Sequence, residues 1–202
     1  MTLIRVFIFF GLSLFISACA IKPKQQLTEN NQSTKQQLAE IRQWAVSGRL
    51  GIRAPNEANS LSFSWQHTPD QQELLLYGSF GTTYAKLTQV GQLATLELSD
   101  NQIYQSDNVE ELLLNVLGYP LPVEHLKYWI KGLPYPKDEG VLSYNSLGFL
   151  KSIKYKQWTI SFKKYQLQES FDNLSLPGKI KVTDGEVTLN LSLRNWQKGT
   201  EL

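Results

Sequence analysis

The chain is short of the parts that chemistry usually needs. Its 202 residues include one cysteine, one methionine and two histidines. One cysteine cannot close an internal disulfide, and with two histidines it cannot complete a zinc site of the usual Cys/His kind. No G-x-S-x-G nucleophile elbow, P-loop or dinucleotide fingerprint occurs in the sequence. His67 stands beside Pro69 and Asp70, where a turn residue is expected rather than a general base. His125 falls in a helical stretch, at or near its surface. The carboxylate pairs Glu110/Glu111 and Asp138/Glu139 read as solvated charge in capping or loop settings. A charge excess is missing as well. Twenty Lys+Arg against eighteen Asp+Glu leave +2, too nearly balanced for the basic footprint of a nucleic-acid protein. Catalytic residues, metal ligands and cofactors are therefore all expected to be none, and nucleic acid is not an expected partner.

The composition is that of a globular protein, with 42% hydrophobic and 19% charged residues, and the length suits one domain. The N-terminus differs from the rest. Arg5 precedes an apolar run at 6–16 (VFIFFGLSLFI), and the segment's roughly 14 apolar residues fall short of the ~20 that a spanning helix needs. Small residues Ser17 and Ala18 follow, then the sole cysteine, Cys19. Residues 1–18 thus read as an export signal that is removed. The run Ile16-Ser17-Ala18-Cys19 resembles a bacterial lipobox, which implies acylation of Cys19. Ala20, in place of an aspartate, favours the outer membrane. The polar, Gln/Asn-rich stretch that follows cannot bury enough surface to order itself. Residues 19–34 are expected to be an acylated cysteine and flexible tether, and 35–202 a single domain.

From about residue 35 to 42 a short amphipathic helix is expected, with Leu38 and Ile41 three apart. The period then changes to two. Trp44, Val46, Leu50 and Ile52 share one parity, and Leu61, Phe63 and Trp65 alternate with Ser60, Ser62 and Ser64. Further strands are expected at 73–77, 83–89, 93–100, 102–105, 152–155, 157–163, 178–183 and 186–194. In the last, Val187, Leu189, Leu191 and Leu193 alternate with Thr188, Asn190, Ser192 and Arg194. Asp184-Gly185 is a two-residue hairpin signal. Strands at such short spacing imply an antiparallel meander. Two helices interrupt it. The first follows Asp107-Asn108-Val109-Glu110, which resembles a capping box, and has a stripe of Leu112, Leu113, Val116 and Leu117. The second follows Pro122, with Leu126, Trp129 and Ile130 on one face. About nine curved strands and a helical pair give a mainly β (α+β) fold, an open barrel with a lid.

A small barrel is either packed solid or hollow, and periodicity alone does not separate the two. The inward parity holds Phe63, Trp65, Tyr155, Trp158 and Phe162 beside leucine and isoleucine. Residues Leu50, Ile52, Leu74, Leu76, Trp129, Ile130, Ile160, Leu189 and Leu191 complete the set of candidates for lining an interior.

Five blocks carry a resemblance: WAVSGRL at 44–50, the strand at 61–65, LLL at 74–76 before a Gly-containing loop, YWIKGLP at 128–134, and VTDG at 182–185 followed by LRNW at 193–196. In this order, behind a lipoprotein signal, they resemble the outer-membrane lipoprotein receptor LolB family. That resemblance implies an unclosed antiparallel barrel whose helical lid covers an apolar cavity. It implies a monomer, anchored by lipid in the cell outer membrane and facing the periplasm. Its partners would be the acyl chains of lipoproteins, the periplasmic carrier LolA that hands them over, and outer-membrane lipid. In the loop 78–82, Phe80 either folds back onto the barrel or, as the family's protruding apolar loop residue implies, points outward to lipid or cargo. The alternative to a receptor is a scaffold lipoprotein of the outer membrane with a solid core and protein partners only.

Overall fold

The computed structural model describes residues 32–78, 80–136 and 140–199. The expected signal segment, Cys19, most of the expected tether, and Asp138/Glu139 lie outside the described residues. Within them the chain forms eleven strands, each paired antiparallel to its neighbours: β1 (Trp44–Ala54), β2 (Glu57–His67), β3 (Gln71–Tyr77), β4 (Thr83–Val90), β5 (Leu93–Leu98), β6 (Ile103–Ser106), β7 (Val141–Tyr144), β8 (Leu150–Tyr155), β9 (Trp158–Gln168), β10 (Leu174–Thr183) and β11 (Thr188–Lys198). The order across the sheet is β6-β5-β4-β3-β2-β1-β11-β10-β9-β8-β7. The two outermost strands, β6 and β7, are not paired to each other, so the barrel is unclosed, as the alternation and the short turns predicted.

Among the described residues three α-helices accompany the sheet: α1 (Gln32–Glu40), α2 (Val109–Leu117) and α3 (Val123–Trp129). The last two form the lid, and together with the corner between them they carry the chain from β6 to β7. Asn108 caps α2, its side chain accepting from the backbone N–H of Glu110 and Glu111 at 3.1 Å each. The cap is thus one residue later than Asp107, and Gly118 closes the helix at φ +80°, a conformation that a β-carbon disfavours.

Three departures from the sequence reading have physical causes. Strand β7 is four residues long at a sheet edge, too short to show a period. Strand β10 runs straight through Pro177 and Gly178, a pair that reads as a break because proline donates no ladder hydrogen bond. At Gly178 an added β-carbon would lie 2.6 Å from the Lys164 carbonyl oxygen, so the strands meet more closely there than a side chain permits. Helix α1 begins at Gln32, inside the stretch expected to be tether, with Thr34 and Leu38 buried. The helix is polar by composition and is held by tertiary packing of Leu38, 1% exposed, in the core cluster.

A chain starting at Leu27 keeps α1 and is expected to fold as a soluble domain. One starting at Gln43 loses the burial of Leu38, and a buried leucine truncated to alanine already costs roughly 2–5 kcal/mol. Its thermal midpoint should fall by several degrees or more. Equal midpoints for the two chains would show that α1 is an appendage.

The two ends of the barrel differ. Helix α1 enters at the end marked by Trp44, His67 and the β2–β3 turn. There Trp44 packs edge-on to Trp65 and Trp196 at 5.1 and 5.9 Å between centroids, and Phe171 meets Trp196 at 5.9 Å. These rings close that end. The β1–β2 turn and the loop 78–82 stand at the other end.

Candidate functional site

An apolar cavity of about 80 Å³ lies beneath the lid. Strands β1–β5 and β11 form its walls, and the two lid helices with their corner form its roof. Eight of the sequence candidates line it: Leu50, Ile52, Phe63, Trp65, Leu74, Leu76, Leu189 and Leu191. Strand alternation explains why they converge, since every second residue of each strand faces the same side. Trp65 is fixed in the wall by its indole N–H, which donates to Gln72 Oε1 at 3.1 Å, while Gln72 Nε2 donates to Gln89 Oε1 at 2.6 Å.

The other six candidates do not line this cavity. Tyr155, Trp158, Ile160 and Phe162 belong to β8 and β9, and Trp129 and Ile130 to the end of the lid. They are part of one continuous apolar cluster in the other half of the barrel, with Trp129, Ile130 and Ile160 wholly buried. The lid reaches this half through His125 of α3, whose ring packs on Tyr155 of β8 at 5.1 Å. The sequence reading also left out cavity residues. Ala85 and Leu87 of β4 and Leu96 of β5 line the wall, and Leu113, Leu117, Leu121, Val123 and Leu126 line the roof. The two-residue period of β4 and the stripe of α2 were the available signals. Tyr84 and Tyr119, which also line the cavity, had none.

The loop 78–82 is a tight turn, with Gly78 N–H donating to Thr82 O at 2.9 Å and Gly81 N–H to Gly78 O at 3.1 Å. It holds Phe80 100% exposed, clear of the barrel. Tyr84, two residues into β4, is exposed beside it.

Neither histidine occupies a catalytic setting. His67 stacks on Trp44 at 5.1 Å and its Nδ1 donates to the Arg42 carbonyl at 3.0 Å. Burial, partly offset by that bond, holds its pKa below the ordinary imidazole value. His125 lies near the helix surface, half-buried. It packs among the rings of Trp129, Tyr135 and Tyr155 at 5.4, 4.5 and 5.1 Å, and its Nδ1 lies 3.6 Å from Glu110 Oε1 on the other lid helix. It stands four positions before Trp129, so the two share a helix face. Among the described residues no cluster of three or more metal-ligating side chains occurs, and no helix is long and apolar enough to cross a membrane.

Lys131, just past α3, is buried and donates to the Ile41 carbonyl at 3.0 Å. Burial pushes its pKa down from 10.5 to about 8. Between those values the unfolded chain holds more protons at this residue than the folded one. Stability therefore rises with pH across that window, and the burial penalty is fully present below about 8. Relative to Lys131→Met, the unmodified protein should gain stability as pH is raised through the window. A difference between their melting curves that stays flat with pH would refute this.

The chain is similar over its length to proteins of one kind. A protein named Outer-membrane lipoprotein LolB from Vibrio parahaemolyticus is 34% identical over 199 residues, covering 97% of this chain and 98% of the relative. One of the same name from Cellvibrio japonicus is 32% identical over 170 residues, covering 83% and 84%. Among solved structures, a LolA superfamily protein from Nitrosomonas europaea superposes with a TM-score of 0.51 at 8% identity, covering 88% of this chain and 96% of its own, a likeness of fold. The family model described as "Outer membrane lipoprotein LolB" matches residues 42–196, a span running from the entry of β1 through the strands, the lid and the cavity to Trp196, and this chain belongs to that family.

Proposed function

We propose that this protein, anchored in the outer membrane through acylated Cys19 and facing the periplasm, accepts acylated lipoproteins from LolA into the cavity and passes them into outer-membrane lipid. It works as a monomer and without a cofactor. The observation that carries this reading is the cavity: eighteen side chains line it, and all but Trp65, Tyr84 and Tyr119 are hydrocarbon throughout. Such a lining binds by area rather than by directional bonds, which suits a cargo that must also leave. A ~16-carbon chain leaving water is worth roughly 12 kcal/mol at ~0.8 kcal/mol per methylene, so passage through water needs a shield. Phe80 supplies the second support, because a fully exposed phenylalanine on a hydrogen-bonded turn is suited to enter lipid or meet cargo.

The test is transfer. Purified protein is mixed with LolA loaded with an acylated lipoprotein, then with liposomes, and the lipoprotein is followed by fractionation. Appearance first with this protein and then in the liposomes is the expected course. Lipoprotein that stays with LolA, together with unchanged tryptophan emission during titration with a palmitoyl probe, would sink the proposal and favour a scaffold with protein partners only.

A further inference from the structure

The lid side chains Leu113, Leu117, Leu121, Val123 and Leu126 cover the cavity from above. The roof must therefore rise for a chain to enter. Both ends of the lid are fastened by the backbone, one to β6 and one to β7, and the part able to lift is the corner at 118–122. Gly118 at φ +80°, Pro120 and Pro122 interrupt the helices there.

At this corner the Tyr119 hydroxyl donates to Glu57 Oε1 at 2.5 Å, across 62 positions of sequence. Glu57 opens β2, four strands in from β6, on the wall away from the seam between β6 and β7. Its other oxygen accepts from Asn59 Nδ2 at 3.2 Å, which orients the carboxylate. Tyr119 is 9% exposed. Burial, with the Glu57 carboxylate adding to it, pushes the phenol pKa far up, so the phenol keeps its proton and stays a donor. A bond of this kind is stronger than one between neutral groups, and its partners join the movable corner to the fixed wall.

We propose that the Tyr119–Glu57 hydrogen bond is the latch of the lid, a positioning pair that sets how often the cavity opens. The pair acts on access to the cavity and not on the chemistry of the cargo. Its consequence for uptake rests on the acyl-binding reading above, but the latch itself can be observed without ligand.

The variants are Tyr119→Phe, which keeps the ring and deletes the donor, and Glu57→Gln, which keeps an uncharged acceptor. Hydrogen–deuterium exchange is measured on the ligand-free proteins. Uptake of a sixteen-carbon fatty acid bearing an anthroyloxy group is then followed by stopped flow. In Tyr119→Phe, amides of residues 109–130 should exchange about tenfold faster, the factor that one hydrogen bond to a charged group supports. Strand amides should keep their rates, and uptake should quicken about tenfold. Glu57→Gln should fall between the two. Lid amides exchanging at the unmodified rate would overturn the latch. So would lid and strand amides accelerating together, which marks general destabilisation, or an unchanged uptake rate in a protein that does bind the probe. Faster lid exchange in a protein that takes up no probe at all would instead overturn the acyl-binding reading and leave the latch standing.

Discussion

Phe80→Glu is expected to leave the thermal midpoint where it is and to stop delivery of lipoprotein into liposomes. The side chain is fully exposed, and surface substitutions usually change stability by no more than ~0.5 kcal/mol, whereas truncating a buried phenylalanine costs roughly 3–5 kcal/mol. Receipt of cargo should stay intact, because the turn stands clear of the cavity. Delivery should fail, because a carboxylate entering hydrocarbon is opposed by roughly 2.5–3.5 kcal/mol even at the low end of measured scales. Phe80→Leu keeps an apolar tip and should be tolerated. The comparison is thermal midpoint against the fraction of lipoprotein reaching liposomes. A large fall in midpoint for Phe80→Ala, or normal delivery by Phe80→Glu, would end the view that this loop is a wedge.

A charge placed in the cavity should separate binding from folding, provided it goes into the hollow half. Leu76 is half-buried, faces the cavity from β3 and packs against the core cluster only in part. Leu76→Asp should therefore weaken uptake of an acyl probe by tenfold or more, because the carboxylate would have to be desolvated by the incoming chain. The fold should survive with a lowered midpoint. Phe162 offers the contrast. It is 6% exposed in the filled half, where an aspartate leaves both a void and a buried charge, so Phe162→Asp is expected to unfold the domain at ordinary temperature. Calorimetry of each variant alone and with probe reads both effects. Undiminished binding by Leu76→Asp would place the acyl site elsewhere.

The alternation in β2 and β11 made the fold legible. Strands with one wet face and one apolar face, joined by turns such as Asp184-Gly185, admit few arrangements besides an antiparallel meander. Asp184 does hold that turn, its Oδ1 accepting from Glu186 and Val187 N–H at 3.0 and 2.7 Å. Short or interrupted pieces were harder. Strand β7 has four residues, and α1 is helical because Leu38 finds the core, which no local pattern announces. The site was legible in half. Parity says which face a side chain takes but not what stands opposite it. Leu76 and Phe162 both point inward, yet Leu76 lines the cavity and Phe162 is buried in the core cluster. The Tyr119–Glu57 bond joins positions far apart in sequence with no signature at either.

The entry of α1 and the Phe80 turn occupy opposite ends of the barrel, and this bears on how the molecule sits on a bilayer. With the proposed anchor at Cys19 beneath it, an upright domain would present its aromatic end to the lipid and hold Phe80 beyond the far end of β3, some 23 Å along the strand for seven residues at about 3.3 Å each. To bring Phe80 to the same leaflet it must tip over. The twelve residues between Cys19 and Gln32 span at most roughly 43 Å when fully drawn out. With Cys19 as the proposed anchor, the reach of that segment bounds the orientations open to the domain, and Phe80 meets the lipid only in a tipped posture.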